Sequence, residues 1–453
     1  MRTKRISQAT AVAFATGLAS LGLSTASAQT ASAQTASTAV PLPIPHYAHM
    51  LVDPVHQHLF ISGGADSGSI LVTDYAGQTI ATIDGETGAD GLALSPDGST
   101  VYAALGGADA ISAVDTGTLT ETARYGTGAG TDPQSVVWSA GKLWFGYGGA
   151  AQGGIGSVDP AVDPAAVALR ATGDSWYSAP ILAATPGGEL VAGEPGQSPA
   201  ELASYDVSSG SAQVLHAPLY LTSPTVSSNL ADLAITPDGK DVITACGAPY
   251  EHQVFKVADL SPDGAYPTAT YPNSVALGAD GTVFAGSENL YGDQVFVFAP
   301  GSASSVVSYP VAPNAFEADA GLAVTPDNST LFAVSADPYG ADPVLHVIAN
   351  PAQAAAGLAL SGPASVHLHG KVTLTGTLSG PSPYTAGQTV QVTRVDRSHP
   401  AGVALPAVTT AADGTFTVTD TPPVSGTVTY QVAYAGGAHL AAATASATVQ
   451  VGR

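Results

Sequence analysis

The sequence predicts an all-β chain, a ring of repeated four-stranded units followed by a smaller module of alternating strands. Three observations carry this. First, a strand–turn–strand phrase recurs. In its clearest copy Leu92 and Leu94 alternate with smaller residues, Pro96-Asp97-Gly98 turns, and Val101-Tyr102-Ala103-Ala104 starts the return strand. Second, 51 Gly and 33 Pro among 453 residues, with only 10% charged, suit short strands and tight turns better than helices. Third, the rhythm of the chain changes near Leu358.

Firm copies of the phrase stand at residues 232–239, 274–281 and 321–328, and looser ones at 49–54, 135–142 and 181–188. The turn markers Pro54, Pro96, Ala140, Pro186, Pro237, Ala279 and Pro326 are separated by 42, 44, 46, 51, 42 and 47 residues. Each is followed by an apolar strand such as Leu143-Trp144-Phe145 and, in several copies, by an Asp-rich turn such as Val114-Asp115-Thr116-Gly117. A period in the forties with several strands per period is that of a propeller blade, and seven copies can close a ring without exposed sheet edges. The last copy lacks a fourth strand, which residues 40–45 are expected to supply. From Gly362-Pro363 onward about seven short alternating runs in under 100 residues, among them Val372/Leu374, Val390/Val392 and Val428/Tyr430/Val432, predict an immunoglobulin-like β-sandwich.

The strand, Ser/Thr-Pro-Asp-Gly turn, strand and Val-Asp-x-x-Gly turn resemble the YVTN-type seven-bladed β-propellers of bacteria, over about residues 41–355. The string 408–416, with its Asp413-Gly414 turn before Phe416, is similar to the bacterial Ig-like repeats of exported actinobacterial proteins. The second resemblance implies a spacer or adhesive module. The first implies a fold and leaves function open, because such propellers serve as binders, surface-layer components, lactonases and lyases.

Arg2, Lys4 and Arg5, the apolar run from Ala11 to Leu23 and the small-residue sites Ala26-Ser27-Ala28 and Ala31-Ser32-Ala33 read as a cleaved export signal. The expected organisation is a signal peptide over 1–28, a linker over 29–40, the propeller over 41–357 and the sandwich over 358–453. The expected location is secreted. Cys246 is the single cysteine and sits in a strand pattern, so it reads as core and rules out an internal disulfide. Losing the signal takes the formal charge from −23 to −26, and the bases of residues 41–355 are Arg124, Lys142, Arg170, Lys240 and Lys256. Such a surface disfavours nucleic acid and anionic lipid and suits cationic or neutral partners.

In a propeller the first strand of each blade starts at the mouth of the central channel. Counting six residues back from each marker gives Ala48, Asp90, Gln134, Pro180, Ala231, Asn273 and Ala320, with His49, Asp132, Asp232, Glu317 and Asp319 beside them. His49, Asp90, Gln134, Asn273, Glu317 and Asp319 are therefore the candidate ligand-binding residues, against the plainer reading that these groups cap strand ends. His46, His49, His56 and His58 show no metal-ligand spacing, and no catalytic motif, phosphate loop or calcium loop occurs. No cofactor and no resident metal are expected, although an acidic rim would attract calcium weakly. Tyrosines outside the strand patterns are available to stack on sugars. The expected function is a non-catalytic binding or adhesion protein for an extracellular glycan, peptide or small molecule. The alternatives are a propeller lactonase or lyase, the latter through His49 and Asp319, or a structural envelope component.

Overall fold

The recurrent turn closes through its own side chains. Ser95 Oγ donates to Asp97 Oδ1 at 2.6 Å, and the Ser99 backbone N–H donates to the same oxygen at 3.1 Å. Gly98 takes the left-handed conformation the turn needs, at φ +71°. Hydrogen bonds from Ser95 and Ser99 hold the Asp97 carboxyl down to about 2. Thr236 and Asp238 repeat the contact at 2.8 Å and Thr325 and Asp327 at 2.7 Å, with Asn328 taking the glycine's place at φ +58°.

The structure, a computed structural model, describes residues 37–452 apart from 163, 224 and 313; the export segment read over residues 1–28 lies outside them. The described residues form strands and two short 3-10 turns, and the chain divides into two compact units. In the larger, residues 37–354 with 437–440, seven four-stranded antiparallel sheets follow one another along the described chain. Their first strands are His49–Asp53, Ala89–Leu94, Pro133–Ser139, Ile181–Ala184, Ser228–Ile235, Pro272–Leu277 and Phe316–Val324. Each first strand touches the next, and the seventh touches the first, so the sheets form a closed cycle.

Second strands are buried along almost their whole length, whereas fourth strands such as Thr120–Gly126 are largely exposed. The core lies between sheets. Phe60, Ile70 and Val72 of the first sheet pack with Leu92, Val101 and Ala103 of the second. Cys246 is buried among Leu230, Leu233 and Phe255, and burial pushes its thiol up to about 12.

The seventh sheet is completed by the N-terminal strand Ser37–Pro41, which pairs antiparallel with Val344–Ala349 from Ser37↔Ile348 to Pro41↔Val344. The pairing segment lies three residues earlier than expected, so residues 37–40 are strand and not linker. The reason is distance: the chain must cross the end of the seventh sheet from its outer edge to reach His49–Asp53, the first strand of the first sheet. Residues 42–48 make that crossing, with Leu42 N–H donating to Pro343 O and Tyr47 N–H to Gly340 O, both at 2.9 Å.

In the smaller unit, residues 355–436 with 441–452, the described strands form a three-stranded and a five-stranded sheet. Alternate residues are buried, as in Ala443–Gly452. Arg394 joins the two sheets: its Nε donates to Asp396 Oδ2 at 2.9 Å and its Nη1 to Asp420 Oδ2 at 2.9 Å, an oxygen that also accepts from Tyr430 Oη.

Starting the chain at Leu42 removes the outer strand and bares the edge Val344–Ala349. The melting temperature should fall by about 5 °C or more, with concentration-dependent association. Calorimetry and light scattering check this; an unchanged melting temperature would mean the strand is dispensable.

Candidate binding site

Five of the seven first strands carry a register shift near their start: between Ala89 and Leu92, Pro133 and Ser135, Leu230 and Asp232, Pro272 and Ser274, and Glu317 and Leu322. Asp90, Gln134, Ala231 and Asn273 fall inside four of these bulges, and Asp319 and Ala320 inside the fifth. A bulge leaves a residue out of the ladder and re-aims its side chain. Ala320 takes φ +48° and its carbonyl accepts from Tyr47 Oη at 2.8 Å, which fixes the largest of the bulges.

The bulges open into two adjoining cavities that share Ala48, Asp90 and Asp319. One, about 270 Å³, is also lined by His49, Gln134 and Asp232. The other, about 460 Å³, is also lined by Glu288, Glu317, Asp337 and Tyr339. Five of the six candidate residues thus face one mouth. Asn273 lines neither cavity; it is 2% exposed and donates through Nδ2 to Glu317 O at 2.7 Å. Asp232, Glu288 and Asp337 complete the acidic lining. Two larger cavities, about 640 and 700 Å³, lie at the opposite edge among turn residues such as Asp238, Asp263 and Asp280, and Lys240 and Lys256.

Neighbouring sheets are tied together at this mouth. The Asp232 carboxylate accepts from Leu233 N–H through Oδ1 and from Val275 N–H of the next sheet through Oδ2, both at 2.8 Å. Ser274 Oγ donates to Glu317 Oε1 at 2.8 Å, and Gln134 Nε2 to Asp132 Oδ2 at 3.0 Å. Burial dominates the electrostatics. It raises Asp90 to about 7, with Asp132 adding. It raises Asp232 to about 7 against the two backbone hydrogen bonds, and Glu317 well above the carboxylate range against the Ser274 hydroxyl. Asp319 and Glu288 are raised for the same reason. Burial lowers His49 to about 4, so its ring is neutral at pH 7. The mouth therefore offers carboxyls able to donate as well as accept hydrogen bonds near neutrality.

The histidines clustered in sequence do not converge. His46 lies 3.9 Å from Asp66, His56 Nδ1 lies 2.8 Å from Asp53 Oδ2, and His56 stacks on His58 at 5.7 Å. Among the described residues no three His, Cys, Asp or Glu side chains are placed to hold one metal ion.

The sequence analysis did not single out the aromatic edge around the mouth. Tyr177, Tyr220, Tyr250, Tyr271, Tyr291 and Tyr339 are 51–88% exposed, and each lies on a loop or strand end at the edge where first strands begin. They run from the connection before the fourth sheet to the seventh. Buried side chains tie down connections along this edge. Glu194 accepts from Tyr177 N–H at 2.8 Å and Ser178 N–H at 2.9 Å, and Gln294 Oε1 from Val311 N–H at 3.0 Å and Ala312 N–H at 2.8 Å. Tyr102 and Trp144 are buried, as their strand positions predict.

A carboxyl raised in the folded state destabilises the fold as pH climbs from its unfolded value, near 3.8, through its folded value, about 7 for Asp90. Asp90→Asn removes that loss. Its stability relative to the unsubstituted protein should grow between pH 4 and 7 by roughly 1–3 kcal/mol and then level off. Melting curves of the two proteins across that range check it. The difference cancels the opposing titration of His49 and His252; a pH-independent difference would contradict a desolvated Asp90.

No family model and no curated protein matches the chain. Solved structures do. Hydrazine synthase of Kuenenia stuttgartiensis is 17% identical with a TM-score of 0.52, over 68% of this chain and 96% of that one. The β-propeller domain of Cps50 (Swd1) from Myceliophteria thermophila is 13% identical with a TM-score of 0.51, over 68% of this chain and 99% of that one. At such identities the likeness concerns fold alone. The chain is all-β, and its repeated four-stranded sheets have the architecture of a β-propeller.

Proposed function

We propose that this chain is an exported, non-catalytic binding protein that recognises an extracellular glycan at the mouth of a seven-bladed, YVTN-type propeller, beside an Ig-like spacer module. The observation that carries the reading is that all six exposed tyrosines lie on the edge where first strands begin, and that one of them, Tyr339, lines a cavity together with carboxyl groups. Aromatic faces stack on the C–H faces of sugar rings, and carboxyl groups take up their hydroxyls. The sequence of residues 1–33 supports export, and cleavage after Ala28 or Ala33 leaves the strand Ser37–Pro41 intact.

A lyase is the second reading, because His49 and Asp319 line one cavity. It gains little from the geometry: burial holds His49 neutral at pH 7, and no metal-ligand set stands beside it among the described residues.

The chain from Gln34 should bind a subset of an extracellular polysaccharide panel. Tyr291→Ala with Tyr339→Ala, at sites 88% and 86% exposed, should weaken that binding roughly ten-fold without changing the melting temperature. Glycan binding unaltered by the double substitution would move the site away from the mouth; no glycan bound at all would end the reading.

A further inference from the structure

The carboxyls of the mouth have no cation of their own. Neither cavity is lined by Lys or Arg among the described residues. Four of the five bases of residues 41–355 are engaged with acids elsewhere: Arg124 with Glu86 and Glu121, Lys142 with Asp159, Lys240 with Asp238, and Lys256 with Asp263. The fifth, Arg170, reaches Ser175.

The mouth also holds an acceptor without a partner. Glu317 lines the 460 Å³ cavity, is 1% exposed, and its Oε2 has no hydrogen-bond partner. The unpartnered Asn273 Oδ1 lies outside both cavities. Leaving buried acceptors unmade is costly, and native proteins keep such groups mainly where something else completes them. A neutral hydroxyl completes one acceptor with one proton. An ammonium group brings three donors and the missing charge, which suits several carboxyls around one small space. Tyr339, lining the same cavity, offers a ring face both to a sugar and to the cation it carries. The cavity volume is within the range of about 300–1,000 Å³ that small ligands occupy.

Resting on the glycan reading above, we infer that the mouth selects saccharides bearing free amino groups, seating a sugar ammonium among Asp90, Glu317 and Asp319 with its ring against the mouth-edge tyrosines. Acetylation of the amine removes the charge and fills the space the carboxyls surround. An ammonium favours the ionised form of carboxyls that burial alone keeps protonated, and a uronic or sulfated sugar brings no such compensation.

The test is calorimetric titration of the chain from Gln34 with a glucosamine oligomer, an N-acetylglucosamine oligomer of equal length and a lysine oligomer. The inference expects the free-amine saccharide to bind at least ten-fold more tightly than either of the others. Asp90→Asn with Asp319→Asn should erase the preference over the acetylated oligomer, and Tyr339→Ala, at an 86% exposed site, should weaken both saccharides alike. Equal binding of the acetylated and free-amine oligomers overturns the inference and leaves glycan recognition standing. A lysine oligomer binding as tightly as the amino sugar also overturns it, by reducing the site to charge alone. No binding of either saccharide overturns it and removes its support for glycan recognition, which the wider polysaccharide panel then decides.

Discussion

Seven strand starts crowd around one axis, and that crowding governs the rest of the larger unit. A β-carbon on Gly91 would stand 2.8 Å from Gln134 O and 2.9 Å from the α-carbon of Ser135, in the neighbouring sheet. A β-carbon on Gly146 would stand 2.0 Å from Pro180 O. The register shifts take one or more residues out of the ladder in five sheets. The released positions carry Asp90, Gln134, Ala231, Asn273 and Asp319, so the shifts at these crowded strand starts also point polar groups inward.

That placement fixes the chemistry. Sheets on all sides strip water from the carboxyls, and desolvation raises them against the hydrogen bonds that favour ionisation. Asp232 shows the competition within one residue: it accepts two backbone N–H groups, one from the adjacent sheet, and still sits at about 7. The unpartnered Glu317 Oε2 is a standing cost to the fold. A ligand that completes such groups stabilises the native state by linkage, which couples binding at the mouth to the stability of the closed cycle.

Much of this was legible in the sequence, for physical reasons. The Ser/Thr-Pro-Asp turn closes through contacts within five residues, so its clear copies marked three sheets and its looser copies set the period of the rest. A constant distance from turn to strand start then located Asp90, Gln134 and Asn273. The clasp was legible as a missing strand but not in register, because the crossing over 42–48 depends on the width of the sheet. The part of Asp232, Glu288 and Asp337 in the lining was not legible, since their convergence depends on which strands bulge and how the loops run. The tyrosine edge was hidden by loop lengths. Tyr250 and Tyr271 are far apart in phrase position yet lie 5.5 Å apart as rings. The link from Arg394 to Asp420 crosses two sheets and left no local mark.

The proposed recognition site is the place where the bulged strand starts meet, and not the larger cavities of the opposite edge. Amide hydrogen exchange of the chain from Gln34, with and without a saturating glucosamine oligomer, tests it directly. Ligand should slow exchange at residues 89–92, 133–135 and 316–321 and in the loops carrying Tyr291 and Tyr339. Protection confined to the turns at residues 236–241 and 279–281, with the mouth unchanged, would contradict the account.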